Sequence, residues 1–195
     1  IGRPILSEKK ISKKTIFVIE VSSYQLAYSQ LFKSKYSVIL NISADHLERH
    51  GNLKNYISAK FRLLENQNKN SIVFLNKNDL NIKKKVKLKK YNIIKILVNT
   101  KNNKTLFKKI DNEYFNSEGN KENLCFIDAI TKKLKLNKIK VIKTLNNFKG
   151  LSYRQQIIYE DQNLKIINDS KSTSFASTES LLKNLENVYW ILGGV

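Results

Sequence analysis

Short apolar runs alternate along the chain with stretches whose apolar residues recur at helical spacing. Residues 15–21 (TIFVIEV) form a continuous, β-branched run, the pattern of a strand buried on both faces. Residues 36–42 (YSVILNI) and 71–75 (SIVFL) repeat that pattern. The intervening stretches 22–32 and 53–66 predict helices. Strands alternating with helices predict an α/β fold with a mainly parallel sheet. Residues 76–118 resist assignment, because short apolar pieces (IIKILV, TLFKKI, EYFN) stand among Lys and Asn and read as small strands or a hairpin. Helices are predicted over 120–134 and 138–146. Gly150 interrupts the pattern, and strands over 155–159 and 164–168 follow it. A helix over 174–185 and a strand over 188–192 lead into Gly193 and Gly194. No internal repeat is visible.

Composition narrows the class. A length of 195 residues, 41% of them hydrophobic, suffices for one domain and part of a second. Cys125 is the single cysteine and cannot form an internal disulfide, which points to a reducing, cytoplasmic setting. No apolar run approaches the roughly 18 residues of a membrane span, and the opening IGRPILSEKK lacks the apolar core of a signal peptide. No membrane partner is expected. The sequence contains no Met, so the chain is expected to begin in mid-protein. The net charge of +20 is mostly Lys, as in KKKVKLKK at 83–90. Aromatics are not interleaved there as a base-stacking platform requires. The charge therefore reads as a composition bias on solvated faces, compatible with an anionic nucleotide ligand. A non-catalytic, basic nucleic-acid-binding protein is the alternative from a different class.

Several residues are candidates for chemistry. Glu20 closes the first predicted strand, and Asp45 and His46 follow the second. Ligands of parallel sheets sit beyond the carboxyl ends of strands, where a carboxylate and an imidazole could share a divalent cation. The plain alternative makes Glu20 a helix cap and His46 a loop residue. On the predicted 53–66 helix, Lys60 falls in the apolar stripe of Leu53, Tyr56, Ile57, Phe61, Leu63 and Leu64. A Lys there is desolvated unless paired or chemically altered, which favours a nucleophilic amine over a snorkelling one. Asn120 and Asn123 share a face with Ile127, Ile130 and Leu134. They could read a base edge, or serve as a cap and a satisfied buried amide. The segment INDSKST at 167–173 has the composition of an anion-handling loop or of a polar turn. No G-x-x-x-x-G-K-[ST] loop, zinc-site spacing or nucleophile elbow occurs.

Five blocks carry a resemblance: IEVSSYQL (19–26), LNISADHLERHG (40–51), YISAKFRLLEN (56–66), FKGLSYR (148–154) and INDSKSTSFASTESL (167–181). In order and spacing the chain resembles the Mur ligase family, and SSYQL and INDSKST favour the branch that adds D-glutamate. The resemblance implies a central ATP-binding domain over residues 1–149, then the start of a Rossmann-like, amino-acid-binding C-terminal domain over 150–195. It implies an ATP-dependent amide ligase, monomeric, with UDP-N-acetylmuramoyl-L-alanine and D-glutamate as substrates and an acyl phosphate between them. By this likeness Glu20 and His46 hold Mg²⁺, with Lys60 carbamylated to support a second metal. Asn120 and Asn123 face the adenine side of ATP, Arg154 the γ-phosphate, and Asp169 helps place the nucleotide. Lys171 and Thr173 sit at the D-glutamate and phosphate end, and Ser22 at the substrate.

Departures from the family pattern are also visible. The family's phosphate loop and UDP-binding domain are expected upstream of Ile1, and the rest of its C-terminal domain beyond LGGV. A piece of this extent is expected not to catalyse ligation alone. Gly119 stands where the family usually has a His. A folylpolyglutamate synthetase-like ligase is the nearest alternative within the superfamily, against which SSYQL and INDSKST argue.

Overall fold

The first α-helix of the computed structural model, which describes residues 4–101, 108–173 and 175–193, is α1, Ser23–Tyr28. Ser22 caps it reciprocally: its Oγ accepts from the Gln25 N–H at 3.2 Å, and Gln25 Oε1 accepts from the Ser22 N–H at 2.9 Å. Strand β1 (Tyr36–Ile39) leads through α2 (Leu47–His50) into α3 (Leu53–Phe61), which Asn52 caps and a 3₁₀ turn, Arg62–Leu64, extends. Strand β2 (Ile72–Asn76), helix α4 (Leu80–Leu88) and strand β3 (Ile94–Val98) follow. The three strands form a parallel sheet in the order β1-β2-β3, with Tyr36 opposite Ile72 and Ile72 opposite Ile94. The α/β architecture expected from the alternating pattern is the one observed.

All five residues of β2 are buried because helices cover both faces of the sheet. Val73 and Leu75 point into one cluster with Ile39, Tyr56, Phe61, Leu64, Ile82 and Tyr91. Ile72 and Phe74 point the other way, onto Val98, Cys125 and Phe126. The second face is closed by α5 (Glu118–Lys133), which Ser117 caps. Helix α6 (Lys138–Asn146) packs Leu145 against Phe115 and Leu124 in a third cluster. Burying each large apolar side chain of this kind contributes about 1.5–3 kcal/mol.

Beyond Gly150 the architecture changes. Strands β4 (Gln156–Glu160) and β5 (Lys165–Asn168) pair antiparallel in a separate two-stranded sheet, with an irregularity between Ile157 and Tyr159. Asp161 Oδ1 holds the connecting turn by accepting from the Asn163 and Leu164 N–H groups at 2.8 and 2.7 Å. Helix α7 (Phe175–Leu182) follows.

Three expectations change. Residues 15–21 lie outside both sheets, with Ile16 86% and Val18 96% exposed. A run apolar on both faces is buried as a strand only when strands flank it, and no described strand does. Residues 188–192 likewise join no sheet, and Tyr189 is 97% exposed. IIKILV is one of the small strands expected in this stretch: it forms β3, an edge strand parallel to β2 and not half of a hairpin. The Lys-rich run before it lies largely in α4, where Asp79 supplies the cap and Ile82 the buried anchor. TLFKKI lies partly outside the described residues, and EYFN contributes the 3₁₀ turn Glu113–Phe115.

Candidate functional site

The carboxyl ends of the parallel strands collect polar side chains. After β2, Asn76 Oδ1 accepts from the Asn78 N–H at 2.8 Å and from Thr100 Oγ1 at 3.2 Å, although Asn76 and Thr100 are both buried. Asp79 serves two segments: Oδ1 accepts from the Ile82 N–H at 2.8 Å and Oδ2 from the Ile42 N–H at 2.8 Å. It thereby ties the chain leaving β1 to the start of α4. From α5, Glu122 reaches the same rim. Burial raises its carboxyl above the ordinary range, while a hydrogen bond to Thr100 opposes that shift.

The loop after β1 carries Asp45 and His46. His46 is half-buried in a left-handed conformation (φ 52°) at the cap of α2, and its own N–H donates to Asp45 Oδ1 at 2.9 Å. Its ring nitrogens lie 3.6 Å from Asp45 Oδ2 and 3.7 Å from Glu48 Oε1. His50, one helical turn on, places Nε2 3.0 Å from Ser23 Oγ and packs its ring 5.4 Å from that of Tyr56. Lys60 is half-buried, with Nζ 5.0 Å from the centroid of the Tyr56 ring. Glu20 lies exposed in the irregular segment before α1. Among the described residues no three His, Cys, Asp or Glu side chains gather into a metal-holding group.

A second group forms where α5 meets the chain beyond Gly150. Asn120 is buried and donates through Nδ2 to Tyr114 O at 2.6 Å and to Gln155 Oε1 at 3.1 Å. Its Oδ1 faces Asn123 Nδ2 at 3.5 Å. Asp169, at the end of β5, accepts from the Gln155 N–H at 3.0 Å, from Ser172 Oγ at 2.7 Å and from Thr178 Oγ1 at 3.4 Å. Arg154 is exposed in the turn before β4, and the Lys171 N–H donates to Tyr153 O at 3.0 Å. Burial pushes the Tyr114 phenol up; the Arg154 charge pulls it back and Asp169 adds to the rise. Lys171 and Thr173 are exposed, and Ser22 is committed to the α1 cap.

The structure thus joins Asn120 and Asn123 to each other, and Asn120 to Asp169 through Gln155. No contact between Glu20 and His46 is seen. His50, Asp79, Thr100 and Gln155 were not anticipated. Asp79 had a legible signal, an Asp immediately before a helical run, and Ser22 with Gln25 had the spacing of a capping box. The other three depend on partners 22 to 38 residues away, which no local pattern reveals.

A parallel sheet covered on both faces, with polar side chains at the carboxyl ends of its strands, defines a ligand-binding α/β domain. Comparison with known proteins narrows this further. Residues 2–142 match the family model "Mur ligase middle domain". A UDP-N-acetylmuramoylalanine–D-glutamate ligase of Rickettsia bellii is 32% identical over an alignment that covers 100% of this chain and 47% of that protein. The enzyme of the same name from Caldicellulosiruptor bescii is 31% identical with the same coverage. The fold matches a crystal structure of MurF from Acinetobacter baumannii with a TM-score of 0.63 and 14% identity, over 83% of this chain and 38% of that one. The chain belongs to the Mur ligase family. It spans about half the length of the curated relatives it matches.

Proposed function

We propose that the chain forms the nucleotide-facing part of an ATP-dependent amide ligase that adds D-glutamate to UDP-N-acetylmuramoyl-L-alanine in the cytoplasm. The observation that carries this reading is the end-to-end match to relatives bearing that activity in their names. In this reading residues 1–149 belong to the central ATP-binding domain and 150–195 to the amino-acid-binding domain. The substrate carboxylate receives the γ-phosphoryl group of ATP, and the amine of D-glutamate then displaces phosphate from the acyl phosphate.

Asn120 and Asn123 line the adenine side, with Asn123 the better placed to donate outward because the Asn120 amide is engaged within the fold. Arg154, exposed in its turn, is free to reach the γ-phosphate, and Asp169 orders the turn that carries it. Lys171 and Thr173, both exposed, take the D-glutamate and phosphate end, and Ser22 the substrate side of α1. Glu20 and His46, which do not touch in the structure, would offer one carboxylate and one imidazole to Mg²⁺, and would suit the ion only with phosphate oxygens and water completing its shell. Bound Mg²⁺ would neutralise charge on the transferring phosphoryl group. Lys60 carbamylation by CO₂ would convert a half-buried amine into an anionic, carboxylate-like carbamate able to support a second metal.

The test is depletion of the gene product in its host cell, followed by mass spectrometry of the nucleotide pool. Accumulation of UDP-N-acetylmuramoyl-L-alanine with loss of its D-glutamyl product is expected. An unchanged pool refutes the reading.

A further inference from the structure

Gln155 stands where three separate stretches of chain meet through polar groups. Its N–H donates to Asp169 Oδ1 at 3.0 Å, at the end of β5. Its Oε1 accepts from Asn120 Nδ2 at 3.1 Å and lies 3.4 Å from Ser117 Oγ, the group that caps α5. The orientation of the amide is fixed by chemistry. Asn120 Nδ2 also donates to a carbonyl, Tyr114 O, so it is the nitrogen, and the Gln155 atom facing it must be the oxygen.

The backbone around it is strained. Tyr153 has φ 64° and Gln155 has φ 48°, so both residues flanking Arg154 are left-handed. Such a conformation costs a non-glycine residue about 1–2 kcal/mol and persists only where surrounding bonds over-determine it. Those bonds are present. The Tyr153 N–H donates to Gln156 Oε1 at 2.9 Å, and Tyr153 O accepts from the Lys171 N–H at 3.0 Å. Gln155 contributes its own two anchors. Arg154 is therefore suspended between two residues that are each tied down, Tyr153 toward β4 and Lys171, Gln155 toward Asp169 and α5.

We infer that Gln155 is a positioning residue: its side chain latches the Arg154 turn to the start of α5 while its N–H latches the same turn to Asp169. It touches no substrate. It sets the position of Arg154 and Asp169 relative to Asn120 and Asn123, and so couples the nucleotide-facing groups on the two sides of Gly150. This role rests on the proposal that those residues face ATP.

The experiment uses the full-length protein carrying each of three substitutions in turn. Gln155→Gly accepts the left-handed backbone without strain and removes the acceptor. Gln155→Leu removes the acceptor at similar bulk. Gln155→Glu retains an acceptor oxygen. Proton exchange of the Asn120 side-chain amide is followed by NMR, beside the thermal melt and the Kd for ATP with Mg²⁺. Expected are at least tenfold faster exchange and about tenfold weaker ATP binding in Gln155→Gly, with a melt close to that of the unaltered chain. Gln155→Glu should keep the slow exchange, and Gln155→Leu should follow Gln155→Gly wherever it folds. Unchanged Asn120 exchange in Gln155→Gly overturns the latch. Faster exchange with an unchanged Kd overturns the positioning role and leaves the nucleotide reading standing. Unaltered full-length protein that binds no ATP refutes the nucleotide reading, and the positioning role falls with it, whereas the exchange data still judge the latch.

Discussion

Replacing Asp79 with Ala should destabilise the sheet more than a surface position of that kind normally would. The carboxylate does two jobs with two oxygens. Oδ1 caps α4 through the Ile82 N–H, and Oδ2 satisfies the N–H of Ile42, itself buried in the core that β1 and β2 share. Loss of an Asp cap costs about 1 kcal/mol. Leaving the Ile42 N–H without its charged acceptor costs a further ~1.5–3 kcal/mol, because water reaches that amide poorly. Together these predict a loss of about 3 kcal/mol, a substantial share of the 5–15 kcal/mol typical of a domain. In a chain of this size the melting midpoint should fall by roughly 10 °C. Asp79→Asn retains an acceptor oxygen for one of the two donors and should lose about half as much. Urea unfolding should show a lower midpoint with an unchanged slope, and hydrogen exchange at the Ile42 amide should quicken in Asp79→Ala. A melt within about 2 °C of the unaltered protein, or unchanged protection at Ile42, would refute the double role.

Gly150→Ala should be destabilising by about 1–3 kcal/mol, since φ is +76° and a Cβ would stand 2.8 Å from the Tyr114 ring; a neutral melt would contradict this. Burial, with smaller contributions from Asp128 and Glu122, pushes the Cys125 thiol up to about 11. A raised folded-state pKa gives stability that is full below the unfolded thiol value near 8.5 and is lost as pH rises through about 11. Stability measured from pH 8 to 11 should therefore fall more steeply in the parent than in Cys125→Ala, by on the order of 2 kcal/mol across that window; parallel curves would count against it. Incubation with ¹³C-bicarbonate should give a carbamate carbonyl resonance that Lys60→Ala abolishes, and its survival in that variant would assign the carbamate elsewhere.

The parts of the fold that were legible are those whose burial follows from a single local pattern. β2 is apolar at every position but its last because both its faces and both its edges are covered, and Lys138–Asn146 shows helical periodicity with a cap at Asn137. The parts that were not legible depend on neighbours. β3 pairs along one edge, and Ile94, Lys95 and Leu97 stay exposed, so its alternation is blurred and its partner cannot be read from the run itself. α4 buries only Ile82, which leaves a Lys-rich surface that hides the helix. Residues 15–21 err in the opposite direction. Their pattern reports what kind of neighbour the segment would accept, and says nothing about which strands lie beside it.

The same division runs through the candidate site, and it bears on how Asn120 should be weighed against Asn123. Both stand on one apolar face in the sequence and both could read a base. The structure gives them different local fates, because Asn120 is buried and spends its two N–H donors on Tyr114 O and Gln155 Oε1. An amide so engaged could offer a ligand only its oxygen, and that oxygen already faces Asn123. Asn120 therefore acts most directly on the shape of the site, by gripping the Arg154 turn through Gln155, and Asn123 is the residue with donors to spare. In the proposed reading, Gly119, standing where the family usually has a His, leaves more of the adenine-side recognition to Asn123. Asn123→Ala should accordingly weaken ATP binding while leaving the melt nearly unchanged, whereas Asn120→Ala should lower the melt first, since it removes the buried donor that Tyr114 O and Gln155 Oε1 share. The reverse order in the two variants would show that Asn120 reads the base and that the polar junction is incidental.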